Sequence, residues 1–206
     1  MFKTLLIKES WLLFGVISFL YFLATLKTEN PNVHLVYLGV IITLWIFYRA
    51  KDEEISLDEN SLLSPCGGTV KEIKVNEYGV TKIRVFLNIH NQHAQFYPVS
   101  GTITNIEYKH GEFYPAYFLE KTQYNEHTTT SIETKNGDTV KVTQIAGQVA
   151  RRIVNHAVQG SRVSQGEYFG MIKFSSAVDI EFSNDWKTRV QVGDKLTPLK
   201  TIIASR

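Results

Sequence analysis

The sequence predicts a mainly antiparallel β domain preceded by an apolar helical hairpin. Three observations carry this reading. The first fifty residues hold two uncharged runs, 11–26 and 35–48, around a polar Asn-Pro turn. From about residue 64 the hydrophobic period falls to two, in short segments rich in Val, Ile and Thr. Turn signals such as Asn136-Gly137-Asp138 punctuate those segments. A hydrophobic content of 44% with 20% charged residues excludes a disordered chain, and a net charge of +2 is too mild to argue for nucleic acid. The single cysteine, Cys66, excludes an intrachain disulfide and a multi-cysteine metal site.

As helices the two apolar runs reach roughly 24 and 21 Å at about 1.5 Å per residue. That is slightly short of a hydrocarbon core of about 30 Å. Lys8, Lys27, Arg49 and Lys51 can snorkel to extend them, and Trp11, Tyr21, Tyr37, Trp45 and Tyr48 supply interfacial rings. A signal peptide accounts for Lys3 but not for the second run or the missing cleavage site. A soluble buried hairpin is disfavoured because apolar residues occupy every face. The expectation is a membrane-anchoring hairpin over 1–50, a linker over 51–63 and a β domain over 64–206. Basic residues flank the hairpin at both ends, which places both ends, and the β domain, on the cytosolic side.

Strands are expected over 67–75, 80–89, 101–108, 128–134, 138–147, 151–158, 168–174, 177–182, 188–192 and 200–204. Residues 112–124 are the one helical candidate, limited by Pro115. A faint repeat relates the segment opening with Gly160-Ser-Arg-Val163 to the one opening with Gly193-Asp-Lys-Leu196, at an offset of 33. The paired pattern resembles lipoyl- and biotinyl-carrier hybrids, so the expected architecture is a flattened antiparallel β-sandwich or barrel. No carrier lysine hairpin is present.

Familiar sites are absent: there is no Walker loop, GxGxxG, GxSxG or HExxH. His90 and His93 could be read as a metal pair, but on a strand residues three apart face opposite ways, so no metal is expected. Ser175-Ser176 is the only adjacent serine pair, set between two apolar strands. A hydroxyl there can attack the preceding carbonyl, given a base and oxyanion donors. His93 is the candidate base.

Six blocks in order then resemble the phosphatidylserine decarboxylase family in its short, archaeal-like form. They are Phe47-Tyr-Arg-Ala-Lys51, Ser64-Pro-Cys-Gly-Gly68, His93-Ala-Gln-Phe-Tyr-Pro-Val-Ser-Gly101, Tyr108-Lys-His-Gly-Glu-Phe-Tyr-Pro-Ala116, Gln144-Ile-Ala-Gly-Gln-Val-Ala-Arg-Arg-Ile-Val154 and Phe169-Gly-Met-Ile-Lys-Phe-Ser-Ser-Ala-Val-Asp179. The resemblance implies a proenzyme. Its serine, Ser176 here, attacks the carbonyl of Ser175 to form an ester. β-Elimination releases residues 1–175 and leaves dehydroalanine, which hydrolyses to a pyruvoyl group heading residues 176–206. The two chains remain associated, and a homodimer is a further expectation. The covalent pyruvoyl cofactor then takes up the amine of a serine head group and receives the electrons left by departing CO2. His93 is the implied proton donor, and phosphatidylserine or a close analogue in the membrane is the implied substrate.

This chain departs from the family at four positions. Gly67 stands where the family has an Asp that orients the histidine, and Ser175 where it has Gly. Phe96 and Ala177 replace arginines. The expectation is therefore a loosely held His93 and slow processing, with Asp179 or Glu77 as substitutes for the missing acid. Two rivals remain: a non-catalytic relative that keeps the fold and the anchor, and a decarboxylase of a soluble amine, against which the hairpin argues.

Overall fold

The computed structural model describes residues 3–6, 8–52, 58–115, 118, 120–147, 153–173 and 176–206. The chain divides into two compact units, Met1–Glu53 and Glu54–Arg206.

In the first unit, α1 (Trp11–Thr25) and α2 (Pro31–Phe47) form the expected hairpin. Pro31 opens α2 at a position that needs no N–H, and the Asn30 side chain accepts the Asn32 amide at 3.0 Å. Tyr21 stacks on Tyr37 with centroids 3.9 Å apart, and Ser18 Oγ meets the Tyr37 hydroxyl at 3.1 Å. The outward residues are apolar all round, Trp11, Leu12, Phe19, Leu35 and Val36 each more than half exposed. Such a surface wants lipid rather than water as its solvent. The stretch Lys8–Thr25 is long and apolar enough to cross a membrane, whereas α2, with 17 residues, falls short of that. Two strands missed in the sequence, β1 (Lys3–Leu6) and β2 (Arg49–Asp52), pair antiparallel and close the base of the hairpin. Its two ends therefore lie together.

The second unit is built of β3 (Ser61–Leu63), β4 (Gly68–Val75), β5 (Thr81–Leu87), β6 (Ala94–Phe96), β7 (Gly101–Lys109), β8 (His127–Glu133), β9 (Thr139–Ile145), β10 (Ile153–Asn155), β11 (Arg162–Val163), β12 (Tyr168–Ile172), β13 (Ser176–Phe182), β14 (Lys187–Thr188), β15 (Lys195–Leu196) and β16 (Ile202–Ser205). An eight-stranded sheet runs β11-β7-β8-β9-β13-β5-β4-β15, flanked by β10-β12-β6 and β14-β16-β3. Side chains alternate, so Val140 and Val142 of β9 and Val178, Ile180 and Phe182 of β13 enter one core with Val85, Ile132, Phe169 and Ile203.

The faint repeat becomes an internal duplication. The strand orders read the same from either end, with β7, β8 and β9 answering to β4, β5 and β13. Val163 pairs with Gly101 on one edge and Leu196 with Gly68 on the other. Bulges recur at matching places, between Ile103 and Asn105 and between Val70 and Glu72. Both edge glycines are required by close approach: a Cβ on Gly101 would lie 2.3 Å from the Glu133 oxygen, and one on Gly68 2.5 Å from that of Phe86. One half is the continuous segment from β6 to β12. It is inserted between β5 and β13 of the other half, so the chain passes between halves after Leu87, through 88–93, and again between the end of β12 at Ile172 and the start of β13 at Ser176.

The helix expected over 112–124 is not formed. Among its described residues only Thr122–Tyr124 makes a 3-10 turn. The segment instead closes as a loop, with the Glu112 amide donating to Tyr124 and the Glu126 amide to Glu112 at 2.8 and 3.0 Å. Asn125 binds the Tyr114 amide and carbonyl, both at 2.8 Å, and so satisfies groups that a helix would have paired internally. The strand expected over 188–192 shrinks to Lys187–Thr188, because the Gln191 amide turns to the Asp194 carboxylate at 2.9 Å.

Candidate active site

The strands at the ends of the two connections pair with one another. β13 starts at Ser176, in register with Leu87, the last residue of β5. β12 pairs with β6 through Met171 and Ala94, and then ends at Ile172, one residue on. Both connections therefore begin and end on the same two strand pairs, β5 with β13 and β6 with β12. The first carries His93 at its end. The second leads to Ser176 through Phe174 and Ser175, which lie outside the described residues.

His93 is fully buried, while His90, three residues earlier in the same crossing, is exposed. The two rings therefore lie in different environments. His93 Nδ1 lies 2.8 Å from the Asn91 carbonyl. A carbonyl only accepts, so Nδ1 carries the proton and the lone pair of the neutral ring sits on Nε2. This corrects the expectation of a loosely held ring: burial and the Asn91 carbonyl fix it in the tautomer that a general base needs.

Gly67 lies at the foot of this crossing. A Cβ there would approach the Gln92 nitrogen at 3.3 Å and its oxygen at 3.6 Å, tight but tolerable. Neither proposed substitute acid serves His93. Asp179 is 1% exposed and bound on both oxygens, to Arg84 Nε and Nη2 at 2.7 Å each and to Lys82 Nζ at 2.8 Å. Glu77 is exposed in the turn between β4 and β5, at the end of that hairpin remote from Gly68 and Leu87. Cys66 is fully buried, and burial pushes its thiol well above the ordinary range, so it is no competing nucleophile. Phe96, at a position where an arginine was expected, is buried and meets Tyr168 edge-on at 6.1 Å. Ala177, at the other, packs with Ile145 and Phe86.

Two features of the site were not legible in the sequence. One is the Arg84–Asp179 pair, which needs a contact over 95 residues of chain. The other is Gln95, fully buried with neither Nε2 nor Oε1 hydrogen-bonded, two residues beyond His93. Its counterpart in the other half is Leu62, fully buried in the core. An apolar side chain therefore suits that place, and a lone buried amide costs about 1–3 kcal/mol. Gln95→Leu should raise the urea midpoint of the full chain by about that free energy, and an unchanged or lower midpoint would show that the amide is satisfied.

The comparisons with known proteins agree with the sequence blocks. The family model described as phosphatidylserine decarboxylase matches residues 42–204. A Methanosarcina acetivorans protein, provisionally named an archaetidylserine decarboxylase proenzyme, is 34% identical over 203 residues, covering 96% of this chain and 94% of its own. A phosphatidylserine decarboxylase proenzyme of Pelagibacter ubique is 35% identical over 180 residues, 82% of this chain and 83% of its own. One from Cytophaga hutchinsonii is 32% identical over 190 residues, 89% and 86% of the two chains.

Proposed function

This chain belongs to the phosphatidylserine decarboxylase family, and on that premise we propose that it is a self-processing proenzyme, cut between Ser175 and Ser176, that decarboxylates a serine-headed phospholipid. The observation that carries the reading is the pairing of β5 with β13 and of β6 with β12, which brings a buried, tautomer-fixed His93, just before β6, to the region where β13 starts at Ser176. His93 Nε2 takes the Ser176 hydroxyl proton as the oxygen attacks the Ser175 carbonyl. The same nitrogen later returns a proton to the carbon that loses CO2. A pyruvoyl group formed from Ser176 supplies a carbonyl that takes up the substrate amine and accepts an electron pair. The residues fit such a group: Ser176 heads a strand that pairs on both sides, with β5 and with β9, and so is held at a defined place in the sheet.

The names of the relatives differ in the lipid tail and share the serine head, so the head group is the chemistry proposed for this site. The apolar hairpin keeps the β domain at the bilayer, where such a head group lies, with residues 51–63 as the connection and the cytosolic side as the proposed face. The severed chains stay together because residues 176–206 bring Val178, Ile180, Phe182, Trp186, Leu196 and Ile203 to the core. That burial stabilises the association by on the order of 10 kcal/mol.

Intact mass of the full-length chain tests the proposal, since processing yields a 31-residue C-terminal fragment with a blocked, hydrazine-reactive first residue. Gly67→Asp should accelerate its appearance about tenfold, or about 1.4 kcal/mol, by placing a carboxylate where the imidazolium forms. The gain is modest because the Asn91 carbonyl already sets the tautomer. If the wild-type chain keeps its full mass and Gly67→Asp does not change that, the enzyme reading fails and a non-catalytic relative takes its place.

A further inference from the structure

We propose that the Arg84–Asp179 pair is a clamp that holds the new chain end at Ser176 in place after processing, an inference that rests on the processing reading above. Sign and chain segregate here. The cations Lys82 and Arg84 lie on β5, upstream of the cut, and the anions Asp179 and Glu181 lie on β13, downstream of it. Arg84 grips both oxygens of Asp179 at 2.7 Å, and its remaining arm donates to Thr122 Oγ1 at 2.7 Å, also upstream. Lys82 reaches Asp179 at 2.8 Å and Glu181 at 3.2 Å. Hydrogen bonding to Asp179 holds the Arg84 guanidinium above its ordinary range, against the opposing effect of burial.

Cutting before Ser176 leaves a free strand end only three residues from Asp179. Strand ends fray at almost no cost in free energy. The reactive group would sit on that fraying end. A bidentate charged pair at the fourth residue stops the fraying where position matters most.

The duplication supplies an internal control. In the other half the equivalent positions are Thr129 facing Thr143, with hydroxyls 2.9 Å apart, and Ser131 facing Lys141. The same register and bulge are built there without a carboxylate, so the architecture does not demand the ion pair. Burying charges is also a poor source of net stability. The charged version occurs in the half whose strand is severed. Arg84 and Asp179 are thus positioning residues.

The test is hydrogen–deuterium exchange on the full chain in detergent, for wild type, Asp179→Asn and Arg84→Lys. Each is measured processed and, in the Ser176→Ala background, uncut. Asp179→Asn strands a buried guanidinium and risks misfolding. Arg84→Lys keeps the charge and loses only the fork. In the processed variants the amides of 177–179 should exchange at least tenfold faster than in processed wild type. The uncut variants should match uncut wild type, and decarboxylation kcat should fall about tenfold with KM unchanged. Equal loss of protection in cut and uncut chains would mark a merely structural pair and overturn the clamp, as would unchanged exchange. A wild-type chain that never loses mass overturns the processing reading, and the clamp with it; processing with unaltered exchange overturns the clamp alone.

Discussion

Ser176→Ala should leave the chain at full mass indefinitely, where the wild type yields residues 1–175 and 176–206. The expected loss is complete because alanine offers no nucleophile, and neither neighbouring group can replace it. Ser175 supplies the carbonyl that is attacked, and its own hydroxyl would cut one residue earlier. The Cys66 thiol is held neutral by burial. Ser175→Gly, by contrast, should cut as fast as wild type or faster, since glycine restores conformational freedom at the scissile bond. Mass spectrometry after prolonged incubation decides both. A 31-residue fragment from Ser176→Ala would mean cutting at the same bond without the Ser176 hydroxyl and would refute the assignment.

His93→Ala should slow appearance of the fragment by about 10²- to 10⁴-fold, the usual contribution of a positioned general base. His90→Ala should stay within about twofold, because His90 is exposed while His93 is fully buried with Nδ1 tied to the Asn91 carbonyl. Equal effects of the two substitutions would dissolve the role given to His93. Removing His93 also empties a buried place, so the folded fraction is monitored by circular dichroism and rates are taken per folded chain.

Much of the fold was open to reading in the residues. Alternation located the long strands because one face of each is buried, and the uncharged runs located α1 and α2 because nothing else tolerates them. The short strands Ala94–Phe96, Arg162–Val163 and Lys195–Leu196 escaped. Two or three residues carry no measurable period, and these form only because longer partners template them. The repeat at an offset of 33 was visible as two glycine turns, but its symmetry lies in strand order, which sequence does not encode locally. At the site, the motif blocks singled out His93 and Ser176. What held the histidine was hidden, since a backbone carbonyl leaves no mark on the side-chain alphabet. Asp179 was misjudged as a stand-in acid because its partner Arg84 lies 95 residues away.

If the chain is processed as proposed, the insertion of one half inside the other gives the severed chain a history that it cannot repeat. In the intact chain β13 finds its slot between β5 and β9 as a tethered segment, at an effective concentration in the millimolar range. Once the tether is cut, the same docking is a meeting of two molecules, and dilution works against it. A processed molecule that unfolds therefore loses its 31-residue partner and does not return on its own. The precursor is the form that can refold. A form processed in the proposed way would last only as long as its first folding holds, so its lifetime would be set by an unfolding rate instead of an equilibrium.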